Sequence, residues 1–279
     1  MPKHQNRNVE EFRIVQPSSV LAPYIKHYWM LEVDEKSASG MQERVIPYGC
    51  MEMVFHSENR LVSSSPGNQD VLQPRLFICG QTTGFTNISL TGKLNMIAVT
   101  FLPYGAKMFF DIPLNELGGQ AVSLADIDNK VYRELEEILL NASGNDERIR
   151  LIESFLINKL HESKVYNFKR IYAAIQTIDQ TKGDISISQL ADCCCLSYKQ
   201  FKRIFAEYIG ANPKDFLRIV RFQKALYLLE HHSDITLSQL AIECGYYDQP
   251  HLINEFKAFS GYTPKELLAI CPPHSDYFG

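Results

Sequence analysis

The sequence predicts a two-domain α+β chain. Short segments rich in β-branched and aromatic residues fill most of the first hundred positions, everything after Asn167 follows a helical period, and a single pattern occurs twice within that helical region. With 279 residues, 45% of them apolar, the chain can bury two cores, which excludes a disordered polypeptide. No window approaches roughly eighteen consecutive apolar residues, and the polar opening MPKHQNRNVEEF has no apolar segment behind it. Neither a spanning helix nor a secretory signal is therefore expected, and the expected location is the cytoplasm.

The elements follow in order. HYWMLEV, MQERVIPYG, MEMVFH, RLFICG, TNISL and LNMIAVTF read as strands punctuated by Gly, Pro, Asn and Ser, which makes residues 1–127 a β-rich domain. SSSPGNQD, at 63–70, reads as an exposed loop, and after Pro103 the period turns helical through YGAKMFF. Residues 128–165 hold two connecting helices, at 128–141 and 146–161, with Ile149, Ile152, Phe155, Leu156 and Leu160 at three-to-four spacing and the breaker NASGND between them. Residues 166–271 form an all-α domain with helices at 168–180, 188–194, 198–208, 213–231, 237–243, 249–259 and 264–270.

The repeat lies in this last domain. Asp184, Ile185, Ser188, Gln189, Leu190, Ala191 and Cys194 recur fifty positions later as Asp234, Ile235, Ser238, Gln239, Leu240, Ala241 and Cys244. After a one-residue insertion, Phe205, Gly210, Pro213, Lys214 and Leu217 recur as Phe256, Gly261, Pro264, Lys265 and Leu268. Two copies are too few for a solenoid, and each has the anatomy of a helix-turn-helix, at 188–208 and 238–259. Ala191 and Ala241 are small where a second helix must cross closely, and Cys195 and Gly245 sit in the tight turn. Ser197 and Asp248 are placed to cap the free N–H groups of the second helix. That helix buries Phe201, Ile204, Phe205 and Tyr208 in the first copy, and Leu252, Ile253, Phe256 and Phe259 in the second. Its other face presents Tyr198, Lys199, Lys202 and Arg203 in the first copy, and Gln249, Pro250, His251, Asn254 and Glu255 in the second. Lys and Arg suit guanine acceptors, whereas Gln and Asn suit adenine.

Charge supports a nucleic-acid partner only locally. The chain has a net charge of −4, but the stretch from Leu196 to Lys224 carries seven basic residues against two acidic ones. Such a stripe attracts phosphates even on a neutral domain. The seven cysteines are odd in number and Cys193, Cys194 and Cys195 are adjacent, which suits neither a disulfide framework nor a zinc site; reduced thiols are expected. Cys50, Cys79, Cys244 and Cys271 show no CxxC pairing.

The strings SQLADCCCLSYKQFKRIF, GANPKDFLRIVRFQKAL and SQLAIECGYYDQPHLINEFKAFSGYTPKEL resemble the AraC/XylS family of bacterial transcription regulators, over roughly residues 167–270. PYGCMEMVFH, FICGQTTG and VTFLPYGAKMFF resemble a family-associated regulatory domain of uncharacterised ligand, which implies a cupin-like β fold. The resemblance implies a DNA-binding regulator whose two recognition helices enter successive major-groove segments about 34 Å apart. Base reading then falls on Lys199, Lys202 and Arg203 and on Gln249, His251 and Asn254, with Tyr198, Arg218 and Arg221 as phosphate candidates. Arg218 and Arg221 serve equally well as salt-bridge partners. Asn254 departs from the basic residue many relatives carry there. Implied partners are double-stranded DNA, RNA polymerase, a small-molecule effector and a second copy of the chain.

The rival class is an enzyme. A cupin-type catalyst needs closely spaced histidines, and the N-terminal half offers only His4, His27, His56 and His161, without an HxH pair. An alkyl-transfer repair protein needs an activated thiol, for which Cys50 near His56 is the candidate pair. No catalytic residue, metal or cofactor is assigned. Trp29, Glu52, Phe55 and Tyr104 read as core aromatics and a paired carboxylate, with no ligand site attached.

Overall fold

A computed structural model of the chain describes residues 11–38, 40–160, 165–232, 234–270 and 277. His4, His161 and Cys271 lie outside them. Among the described residues, ten strands make two antiparallel sheets. The six-stranded sheet has the order β1 (Glu11–Val15), β2 (Ile25–Val33), β9 (Leu94–Phe101), β4 (Glu52–His56), β7 (Leu76–Cys79), β10 (Ala121–Ser123). The four-stranded sheet has the order β3 (Gln42–Val45), β8 (Thr86–Ser89), β5 (Val62–Ser64), β6 (Val71–Leu72). A one-turn helix α1 (Glu35–Ala38) follows β2.

The central strands are buried on both faces, so their two sets of alternate residues feed two different cores. Trp29, Leu31, Val54, Phe77, Met96 and Ala98 pack toward the second sheet, meeting Met41, Ile88 and Leu90. Tyr28, Met30, Met53, Phe55, Ile78, Ile97, Val99 and Phe101 face the opposite way. There they meet α2 (Leu124–Ile127), α3 (Asn129–Asn141) and α4 (Asn145–Lys159) through Leu124, Tyr132, Leu135, Leu139, Ile149, Ile152 and Leu156. The segment 128–165, read from sequence as a connector, thus contributes helices that cover the outer face of the six-stranded sheet.

Other departures are local. Ser63 and Ser64, placed by sequence in a loop, belong to β5 and pair with β8. The period after Pro103 produces only a short 3₁₀ turn at Ala106–Met108, followed by another at Leu114–Leu117.

The remaining helices are α5 (Val165–Thr181), α6 (Ile187–Cys193), α7 (Tyr198–Ile209), α8 (Pro213–His231), α9 (Leu237–Glu243), α10 (Gln249–Ser260) and α11 (Pro264–Ile270). They enclose two cores. Ile171, Ile175, Ile178, Leu190, Phe201, Phe205, Phe216 and Val220 fill the first, and Ile219, Phe222, Leu226, Leu240, Leu252, Phe256 and Phe259 the second. The 19-residue α8 supplies both, its Phe216 and Val220 to one and Ile219 and Phe222 to the other, so it is the shared spine. Among the described residues no helix is long and apolar enough to cross a membrane.

Candidate nucleic-acid interface

Both repeats fold as helix-turn-helix units, and the same devices start their helices. Ser186 with Gln189 forms a capping box on α6, Ser197 with Gln200 on α7, and Thr236 with Gln239 on α9. In each, the hydroxyl accepts the N3 backbone N–H while the glutamine carbonyl accepts the cap's own N–H. On α10, Asp248 accepts from His251 N at 2.8 Å and Pro250 occupies the first turn, where its missing N–H costs nothing. Ala191 and Ala241 are buried at the crossings.

The turns use a left-handed residue at the same place, Cys195 with φ 52° and Gly245 with φ 70°. Glycine adopts that conformation freely, whereas Cys195 carries a side-chain clash of about 1–2 kcal/mol. The residue by which the second copy is longer is Tyr247. Tyr246 tucks under the unit at 5% exposure, and Tyr247 stands 92% exposed just ahead of the Asp248 cap. Sequence reading gave Tyr247 no role of its own, although the aromatic pair in the turn was the available signal.

Tyr198, Lys199, Lys202 and Arg203 lie exposed together on the first recognition helix. Lys202 Nζ sits 5.6 Å from the Tyr198 ring centre, and Arg203 pairs with Glu207 one turn on at 3.7 Å. In the second unit Pro250, His251 and Asn254 are exposed and Gln249 is half-buried. Gln249 Oε1 accepts from the Ser238 hydroxyl at 3.1 Å, and His251 Nδ1 accepts from Tyr247 N at 3.3 Å.

Glu255, placed by sequence on the same outward face, is buried instead. Its carboxylate takes Arg218 Nη2 at 2.8 Å and Nε at 3.0 Å, while Arg218 Nη1 reaches Asp215 at 3.1 Å and the guanidinium lies over Phe259. Hydrogen bonds to Glu255 are the first cause of a raised Arg218 pKa, so the cation is secured and turned toward the protein. Arg221 is half-buried, stacked over Tyr246 at 5.9 Å, with its Nε buried and unbonded. Two of the three phosphate candidates are thus on α8 and partly withdrawn from solvent, while Tyr198 stands on the exposed face.

The β domain grips both units from behind. Lys107 is 5% exposed; its ammonium donates to Ile112 O and pairs with Glu207 at 3.5 Å, the carboxylate that also holds Arg203. Arg44 donates to Ser260 O at 3.0 Å and lies between the rings of Phe85 and Tyr262. Gln223 of the spine, fully buried, donates to Pro47 O at 2.8 Å. The Lys107 and Arg44 contacts engage the C-terminal ends of α7 and α10 and leave their N-terminal ends outward. None of them was legible locally, because each joins residues far apart in the chain.

The buried thiols Cys50, Cys194 and Cys244 are not activated. Burial pushes Cys50 and Cys244 up to about 12 and Cys194 up to about 11. His56, the proposed partner of Cys50, bonds to Gln73 instead, and burial lowers its pKa to about 4.

Comparison with known proteins gives two family matches. Residues 190–269 match a family described as a helix-turn-helix domain, and residues 13–123 match a domain of unknown function, DUF6597. An uncharacterized HTH-type transcriptional regulator of Haemophilus influenzae is 32% identical over 116 residues, which is 42% of this chain and 37% of that protein. The HTH-type transcriptional activator RhaS of Escherichia fergusonii is 31% identical over 83 residues, 30% of each chain. The chain therefore spans well under half the length of these curated relatives. Among solved structures, ToxT from Vibrio cholerae superposes with a TM-score of 0.46 at 10% identity, covering 87% of this chain and 97% of that one.

Proposed function

Because its helix-turn-helix domain is of the AraC type, we propose that the chain is a sequence-specific transcription regulator. Two recognition helices, α7 and α10, read adjacent major-groove segments of double-stranded DNA. The observation that carries this reading is the pairing of two capped, outward-facing helix N-termini on one spine, α8, with base-complementary side chains exposed on both. Lys199, Lys202 and Arg203 contact bases in the first segment, and Gln249, His251 and Asn254 in the second. Tyr198 and Arg221 approach phosphates, while Arg218 serves the fold through Glu255 and Asp215.

The β domain acts as the sensor: a small effector or a second copy biases how it holds the two units, a coupling between sites with no chemistry required. RNA polymerase is the downstream partner and the cytoplasm the place of action. Selection of bound fragments from bacterial genomic DNA by purified chain tests the reading. A single enriched bipartite motif, with affinity falling linearly in log salt, is expected. Recovery of random fragments at every salt concentration overturns it.

A further inference from the structure

The inner face of the six-stranded sheet changes character at one end. Going across β2, β9, β4 and β7, one row is Trp29, Ala98, Val54 and Phe77, as a sheet-on-sheet core requires. The next row on the same face is His27, Thr100, Glu52 and Cys79. A carboxylate in such a place is costly unless a cation balances it.

Glu52 has hydrogen bonds but no ion pair. Its Oε1 accepts from the Trp29 indole at 2.8 Å and the Thr100 hydroxyl at 2.8 Å, and among the described residues no salt bridge involves it. His27 does not supply the charge, because burial, first, and Lys26 push its pKa down to about 4. The Tyr48 hydroxyl is buried within hydrogen-bonding reach of Glu52; burial first, and then the Glu52 carboxylate, raise its pKa well above the usual value. Yet the row is not sealed, since Glu52 and the neighbouring Trp29 are only half-buried.

We propose that this row is a binding site for a small organic cation, a primary ammonium or a guanidinium compound. Glu52 is its charge partner, Trp29 its aromatic wall and the Tyr48 hydroxyl a second acceptor. Its regulatory meaning rests on the reading of the β domain as a sensor; the binding itself does not. Just ahead of Glu52 in the chain, Pro47 accepts from Gln223 of the helical domain, and Gly49 and Met51 lie close to Phe216 and Gly210. A cation held by Glu52 therefore lies next to the contact between the two domains.

Trp29 is the single tryptophan of the chain, so its fluorescence reports on this site alone. The full chain is titrated, without DNA, with n-butylammonium and n-butylguanidinium, and in parallel with n-butanol and butyrate. Both cations are expected to give a saturable change that the neutral and anionic probes do not. Glu52→Gln, which keeps the acceptor for Trp29 and Thr100, should weaken cation binding at least about tenfold. Tyr48→Phe, which removes only a hydroxyl, should weaken it severalfold and serves if the first variant misfolds. Saturation by n-butanol, no response to either cation, or cation binding unchanged in a folded variant overturns the proposal. A mobility shift on the same samples separates the two readings. DNA binding without any cation response sinks this site alone, and cation binding by a chain that selects no DNA sinks the regulator.

Discussion

On the first recognition helix Ile204 fills the inward position one turn before Tyr208; on the second the equivalent residue is Glu255, buried to 7% exposure and paired with Arg218. One unit closes its core with a side chain that needs no partner, the other with a charge that needs one from α8. The turns differ in the opposite sense. The first tolerates a strained Cys195 where the second has Gly245, and the second alone carries the extra Tyr247. The first unit thus places its cost in the backbone and the second in electrostatics. The base-facing side chains differ too, basic on the first helix and Gln249, His251 and Asn254 on the second.

The largest effect is expected where the units differ most. Arg218→Ala leaves Glu255 buried without its cation and should cost about 3 kcal/mol in urea unfolding. Arg218→Met combined with Glu255→Leu, which gives the second unit the first unit's solution, should recover most of that loss. A double variant as unstable as the single one breaks the equivalence with Ile204.

The helix ends come next. Gly210 and Gly261 both close their recognition helices with left-handed φ, 82° and 77°. A Cβ on Gly261 would meet Arg44 Nη1 at 2.6 Å and the Phe85 ring at 2.7 Å, whereas on Gly210 its neighbours start at 3.4 Å. Gly210→Ala should cost only the conformational term, about 1–2 kcal/mol, and Gly261→Ala more, because it also pushes the second unit off the β domain. Thermal unfolding of the two variants side by side measures the difference.

On DNA, Arg203→Ala should lose about 2 kcal/mol of specific affinity and relax preference at one base pair, whereas Tyr198→Phe should weaken all sequences alike and by less. Competition binding with single-base operator variants distinguishes them. Gly245→Ala should destabilise by about 1 kcal/mol, since a Cβ there would meet Arg221 only at an ordinary 3.7 Å and only φ is at issue. Cys195→Gly should be neutral or slightly stabilising, because relief of strain offsets the added freedom of the unfolded chain. Smallest of all, Tyr247→Ser should change stability by less than about 0.5 kcal/mol, and any loss of DNA affinity then belongs to the exposed ring itself.

Periodicity and punctuation made the helical domain legible: α8, α9 and α11 end where the sequence placed them, and α7 and α10 extend one residue further. Each of these helices carries its own amphipathic stripe or cap, so local signals suffice. The two-residue β6 and the three-residue β5 and β10 escaped notice, because strands so short, with exposed or half-buried residues, show no alternation to read. Glu255 was misplaced for a different reason. A lone carboxylate on a helix reads as solvated, and what buries it is Arg218, on another helix and 37 residues away. The polar row at Glu52 was hidden in the same way: Glu52 reads by itself as a paired carboxylate, and only strand register brings His27, Thr100 and Cys79 into line with it.

The β domain holds both recognition helices by their heels, Gly210 against Met51, Gln81 and Leu114, and Ser260 with Gly261 against Arg44 and Phe85. A pair of readers clamped in this way behaves as a fixed gauge. The chain then measures helical phase as well as bases: one base pair inserted between the two half-sites turns the second away by about 34–36°, and either the DNA untwists by that angle or one heel leaves its seat.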